Sequence, residues 1–440
     1  MKRKPRTVPT SAFSRAIRSR AEEGLLTVQP RMGFAKPKNM RAGLLKVKAL
    51  GIPVAGTITL DSYTRVGDHE GALNALRQGH DLNGYPLVSY GPDVTSQMLS
   101  GVEDATFPIQ LRHGSAFPLQ IVSAAINSGL TSTEGGPISY CLPYSRRPLK
   151  QSATDWAKAC EILSTNSRAG VHVESFGGCL MGQLCPPSLL VAISVLEGIF
   201  FKEWGLKSVS LSYAQQTNIL QDIEAVKALQ ALAYEFLVDI DWHIVIYAYM
   251  GVFPETAIGI QALMYDAVKI AVEAGAERLI VKTAAEAYGI PTVEDNLASL
   301  IFSKKCAERI AKSESRKFTD GTDSAVYKES RALVEAALNS AEDITTALVC
   351  SVESGRLDVP YCLHPDNLNR TRTEINSQGR LKWASVGNMP LPRARKDRIR
   401  STSSREFLMT LNYMRNRYDN LSREQLEEDY GVLSEITLKT

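Results

Sequence analysis

The sequence predicts an α/β protein: a TIM-type (β/α)8 barrel over residues 23–315, preceded by a basic arm over 1–22 that is expected to be disordered. A C-terminal extension over 316–440 reads as mixed α/β, largely helical and irregular. Two observations predict the barrel. Eight short β-branched runs recur along the chain, and the segments between them carry apolar residues at helical period. A third observation sets the class: 44% hydrophobic and 22% charged residues suit a folded body and exclude disordered, collagen-like or disulfide-scaffold chains.

In order, the runs are 25–29, 54–60, 108–111, 130–133, 171–174, 208–212, 243–249 and 279–282. After the fifth run Leu189, Ile193, Leu196 and Phe200 fall on one helical face, and after the sixth Ile219, Ile223, Val226 and Leu229 do the same. Strand followed by helix, eight times over, is the pattern of a parallel barrel. A doubly wound open sheet is the alternative, because periodicity alone does not show closure.

Of the 50 basic residues, seven (Lys2, Arg3, Lys4, Arg6, Arg15, Arg18 and Arg20) stand in the first twenty positions, which hold no acid. The rest of the chain is mildly acidic, which argues against a nucleic-acid-binding body, since phosphate binding needs a basic folded face. The longest apolar stretch, 189–201, contains Ser194 and Glu197 and is too short to span a bilayer. No secretory apolar run follows the basic start, so a cytoplasmic location is expected. The seven cysteines form no CxxC pair, and the six histidines no HExxH or HxH pattern, so no protein-built metal site is expected.

Active sites of such barrels lie at the C-terminal ends of the strands. There the runs end at Arg31, at Asp61 with Arg65, at Arg112 with His113, and at Glu134, Glu174, Tyr213, Tyr247 with Tyr249, and Lys282. Three arginines from consecutive strands facing one mouth repel one another unless an anion lies between them, and the guanidinium fork matches a carboxylate bidentately. Glu134 on the next strand is placed to hold an ammonium group, so a dicarboxylic amino acid is the indicated ligand. Phosphate fits less well, because the loops MGVFPET and TAAEAYGIPT lack a Gly-rich cradle. The stretch GLTSTEGGPISYCLPY (129–144) adds Tyr140 and Tyr144 on a Gly/Pro-shaped loop, with packing as the plainer reading of those rings. Ser139 has no histidine at a familiar spacing, which disfavours triad hydrolysis.

The strings VQPRMG (28–33), TLDSYTR (59–65), LNGYP (82–86), LRHG (111–114), EGGPISYCLPY (134–144), LCPPS (184–188), NILQDIEA (218–225) and IVKTAAEAYGIPT (280–292) are collinear with one family's motifs. From about residue 23 to about residue 392 the chain resembles the large catalytic subunit of coenzyme B12-dependent glutamate mutase, the methylaspartate mutase epsilon chain. The resemblance implies a TIM barrel and the reversible radical rearrangement of L-glutamate to (2S,3S)-3-methylaspartate. It places the family's arginine claw on Arg31, Arg65 and Arg112 with His113 beside it, its amino-group glutamate on Glu134, and its loop tyrosines on Tyr140 and Tyr144. Contacts to adenosylcobalamin fall on Gly33, Asn83, Pro143, Phe253, Lys282, Glu286 and Ile290.

Three stretches depart from the family pattern: ESFGGCLMGQLCPPS (174–188), SYAQQTN (212–218) and YAYMGVFP (247–254), the last where the family usually has His-Gln-Trp before Met-Gly. They line the mouth and put the substrate's identity in question more than the reaction type. The DxHxxG signature of a cobalamin-binding domain is missing; the nearest string, Asp241 to Ile246, lies in a strand and lacks the glycine. The resemblance therefore implies a separate small cobalamin-binding subunit carrying that motif, in a heterotetramer built on a homodimer of this chain. Two other readings stay open: a mutase of a specialised pathway with a glutamate-like substrate, and a non-catalytic barrel that binds a diacid amino acid.

Overall fold

The computed structural model of the chain describes residues 11–166, 170–313, 321–392 and 403–434. Eight parallel strands build its centre: β1 (Thr27–Gln29), β2 (Gly56–Thr59), β3 (Ile109–Arg112), β4 (Ser132–Gly135), β5 (His172–Ser175), β6 (Ser208–Ala214), β7 (Asp241–Tyr247) and β8 (Arg278–Ile280). Each overlaps one of the eight β-branched runs. Six of them form one ladder in the order β1-β8-β7-β6-β5-β4, and β2 pairs with β3 in a second. The pairing of β1 with β8 is the closing step of a barrel and excludes the doubly wound alternative.

The two ladders meet at two seams. Between β1 and β2, Val28 N donates to Pro53 O at 3.0 Å and Ala55 N to Val28 O at 3.1 Å. Between β3 and β4 the described residues form no ladder; Thr133 Oγ1 donates to Leu111 O at 3.3 Å and Gln110 Nε2 to Thr133 O at 3.4 Å. Helices cover the outside, and two of them show side-chain caps. Asn218 caps the helix Ile219–Phe236 by accepting from Gln221 N, and Thr256 caps Ala257–Ala274, which ends on Gly275 at φ 74°.

Barrel interiors are usually filled by branched aliphatic side chains. This one is polar at mid-depth. Arg278, fully buried, donates to Gln29 Oε1 at 2.6 Å, Gln110 Oε1 at 3.1 Å and Ser210 Oγ at 3.0 Å, and pairs with Glu174. Below it His172 and His243 stack at 4.9 Å. The arm expected over 1–22 divides here: residues 1–10 lie outside the described residues, whereas Ala12–Glu22 is a helix, not a disordered tail. Ser11 caps that helix, Arg18 pairs with Asp241 at 2.8 Å, and Phe13 stacks on His172 at 5.0 Å, 5.0 Å from the Arg278 guanidinium. The helix thus seals the N-terminal end of the barrel with an aromatic stopper.

The last barrel helix, Val293–Ser313, leads into a mixed extension. It comprises helices Ala325–Leu338 and Ile344–Glu353, an antiparallel pair β9 (Arg372–Ile375) and β10 (Leu381–Ser385), and helices Ser404–Leu411, Tyr413–Asp419 and Arg423–Tyr430. No helix among the described residues is long and apolar enough to cross a membrane.

Candidate active site at the barrel mouth

A cavity of about 260 Å³ opens at the C-terminal ends of β1 to β4 and is lined by Arg31, Arg65, Arg112, His113, Glu134, Tyr140 and Tyr144 together. Each of these seven side chains was expected at the mouth, and the fold brings all of them to one wall. Thr59, Phe176 and Met250 complete the lining.

The three guanidinium groups are not equivalent. Arg112 is buried and fully engaged: Nη1 donates to the Tyr247 hydroxyl at 2.7 Å and Nη2 pairs with Glu134 Oε2 at 2.9 Å. Arg65 donates Nε to Leu60 O at 3.0 Å, which aims its terminal nitrogens inward past Gly114. Among the described residues neither Arg31 nor Arg65 has a carboxylate partner. Two cations held without counter-ions beside a third constitute a site for an anion.

Glu134 receives the Tyr140 hydroxyl on Oε1 and the Tyr247 hydroxyl on Oε2 at 3.0 Å. Burial raises its carboxyl above the usual range, with Arg112 opposing. Burial would raise Glu174 as well, but Arg278 and Arg112 hold it below the usual carboxylate range. Burial, helped by the Arg65 and Arg112 charges, pulls His113 down to about 3, so its ring is neutral at ordinary pH. It packs edge-on to Tyr140 and stacks on Trp156.

The loop carrying Tyr140 and Tyr144 is held by a residue that lies outside all of the sequence motifs. Glu197, in the middle of the buried helix Pro187–Glu203, accepts from Ile138 N at 3.1 Å, Ser139 N at 2.8 Å, Ser139 Oγ at 3.0 Å and Ser175 Oγ at 2.8 Å. A Cβ on Gly136 would lie 2.1 Å from this carboxylate, which is why the loop needs its glycine. Ser139 is therefore an anchor. A lone glutamate within an apolar run was the available signal, since such a group must find donors when buried. Tyr247 and Glu174 were legible as strand ends but not as partners of Arg112.

The second set of expected residues lies around the rim, outside the arginine cavity. Lys282 Nζ pairs with Glu286 Oε2 at 2.5 Å and sits 5.7 Å from the Phe253 ring centroid. Burial, with Arg31 nearby, lowers Lys282 to about 8. Asn83 accepts from Ser62 N at 2.9 Å, and Gly33 packs where a Cβ would meet Thr59 O at 2.3 Å. Pro143 borders a neighbouring hollow of about 550 Å³. Ile290 is 75% exposed and Tyr288 72%.

Comparison with known proteins bears on this arrangement. The profile of the methylaspartate mutase E chain (MutE) matches residues 8–406. The glutamate mutase epsilon subunit of Yersinia enterocolitica is 31% identical over 407 residues, covering 88% of this chain and 83% of the relative. That of Desulfitobacterium hafniense is 29% identical over 395 residues, covering 86% and 81%. That of Halobacterium salinarum is 30% identical over 369 residues, covering 79% and 76%. A family profile matched over nearly the whole chain, and relatives that align across most of their own length, establish that the chain belongs to the methylaspartate mutase E chain family.

Proposed function

We propose that this chain is the barrel subunit of an adenosylcobalamin-dependent carbon-skeleton mutase that interconverts L-glutamate and (2S,3S)-3-methylaspartate. The observation that carries the reading is that Arg31 and Arg65, with no carboxylate partner among the described residues, share one small cavity with the Arg112–Glu134 ion pair. Two carboxylates and one ammonium on a single ligand complement that set. Arg31 and Arg65 bind the carboxylates in fixed orientation, Glu134 with Tyr140 orients the amino group, and the neutral His113 ring adds no competing charge.

Adenosylcobalamin, when bound, supplies the hydrogen-abstraction chemistry that no side chain here provides. The rim fits such a group: Lys282 and Glu286 offer a cation and an anion for a polar appendage, and the exposed Tyr288 and Ile290 offer apolar surface that a flat ligand would cover. Phe176, Tyr140 and Met250 contribute apolar wall to the arginine cavity. A separate small cobalamin-binding subunit completes the enzyme, because the chain has no DxHxxG sequence of its own.

A second substrate, a glutamate-like diacid amino acid, is favoured by Tyr247, which meets Arg112, Glu134 and Glu174 from a stretch that departs from the family pattern. The decisive experiment mixes the chain with a cognate small subunit, adenosylcobalamin and L-glutamate without oxygen and follows methylaspartate by NMR. Product formation supports glutamate; turnover only with another diacid supports the second reading, and none with any diacid removes both. The purified chain alone should bind adenosylcobalamin poorly, and tight binding without a partner would contradict the two-subunit arrangement.

A further inference from the structure

The residues that follow the family match hold the mouth from outside. We propose that residues 413–430 form a strap that fixes the loop 250–256 after β7, and that Asp419 is its positioning residue; the functional half of this inference rests on the proposed cofactor role of the rim. The family profile ends at residue 406, so the strap is not part of the matched segment.

The geometry is specific. The Asp419 carboxylate accepts from Glu255 N at 3.0 and 3.1 Å, from Thr256 N at 2.8 Å and from Thr256 Oγ1 at 2.7 Å. It therefore satisfies amides at the start of the helix Ala257–Ala274 that no intrahelical carbonyl can reach, and it does so with the charge that a helix N-terminus favours. Arg415 pairs with the Glu255 side chain at 3.2 Å, and Tyr288 donates to Glu255 O at 2.5 Å.

The strap is fixed to the barrel on either side of Asp419. Tyr418 and Tyr430 both donate to Asp266 Oδ2, at 2.5 and 2.7 Å, and Arg417 donates to Thr217 O at 2.7 Å after β6. Between these anchors and the mouth lies one short loop. Its first residue, Met250, lines the arginine cavity; Phe253 is buried against Lys282; and its last two residues are the ones that Asp419 grips. A loop held at its outer end keeps Phe253 and Met250 in register at the inner one, which lowers the entropy lost when a ligand closes over them.

The test compares the full-length chain with Asp419→Ala and Asp419→Asn in the complex with the small subunit. In Asp419→Ala, amide hydrogen exchange across residues 250–256 should rise roughly tenfold or more. The apparent affinity for adenosylcobalamin, measured by absorbance titration, should fall about tenfold, with KM for the diacid within about twofold. Asp419→Asn keeps one acceptor oxygen and should recover part of both effects. Parental exchange in Asp419→Ala overturns the strap, and faster exchange with unchanged cofactor affinity reduces it to packing and overturns the positioning role. If the parental complex binds no adenosylcobalamin, the proposed function fails, and the exchange measurement alone still decides whether the strap holds the loop.

Discussion

The hydroxyl of Tyr247 accepts a hydrogen bond from Arg112 Nη1 at 2.7 Å, and the same tyrosine ring lies 4.8 Å from the guanidinium carbon. One phenol thus serves as acceptor and as aromatic floor for one cation. Its single proton is within reach of two carboxylates, Glu134 and Glu174. The hydroxyl can donate to only one of them at a time.

Tyr247→Phe removes the acceptor from Arg112 and the one donor that Glu134 and Glu174 share, while leaving the ring in place. Buried polar groups left unpaired cost about 1–3 kcal/mol. The denaturant midpoint should fall by an amount equivalent to that cost, with the slope of the transition unchanged. An unchanged midpoint means that the phenol is not a hub of this network.

Arg65→Lys and Arg112→Lys keep the charge but lose the planar fork. Each loses at least one charge-assisted hydrogen bond, about 1.5–3 kcal/mol, so kcat/KM for the diacid should drop by a factor of roughly 10 to 150. Near-parental kinetics in both variants defeats the bidentate reading.

Glu134 carries the amino-group assignment and also balances Arg112. Glu134→Gln keeps acceptor and shape and should slow turnover moderately; Glu134→Ala leaves the ammonium without its anion and Arg112 without its partner, and should be worse by a further tenfold or so. Steady-state kinetics of the two variants side by side decides this. The idea is lost if Ala performs as well as Gln.

Burial pushes Glu197 up to about 7, against the bonds from Ser139, Ser175 and Ile138. Its folded pKa exceeds its unfolded one, so between about pH 4.5 and 7 the folded state holds a proton that the unfolded state has released. This contribution is complete below the unfolded value and is lost as pH rises through the folded one, with a slope of about 1.4 kcal/mol per pH unit inside the window. Glu197→Gln should flatten stability across that window. Unfolding curves at several pH values, identical in slope for parent and variant, would show that Glu197 does not titrate there.

Much of this was legible from the residues. The eight strands announce themselves because Val, Ile and Thr cluster in runs separated by helical periodicity; five of the cavity residues follow once strand ends are taken as the mouth, and Tyr140 and Tyr144 from the Gly/Pro-shaped loop after β4. What could not be read was pairing within the mouth. Nothing local distinguishes Arg112, neutralised by Glu134, from Arg31 and Arg65, because that difference is made by Glu134 on the next strand and by Tyr247 reaching across from β7. The helix Ala12–Glu22 was hidden for a related reason: its basic residues mask Phe13, whose role exists only against the histidines of β5 and β7. The strap was equally opaque, since Asp419 and Asp266 act on backbone and phenols far away in sequence.

The wall of the barrel is stitched, and not laddered, where β3 meets β4. The ion pair of Arg112, at the end of β3, with Glu134, on β4, crosses that seam. Arg31 follows β1 and Arg65 follows β2, so a molecule that gives its carboxylates to them and its ammonium to Glu134 bridges the same seam. On the proposed reading the substrate is then a removable stave: while it is bound, the barrel is held together in part by the compound it transforms.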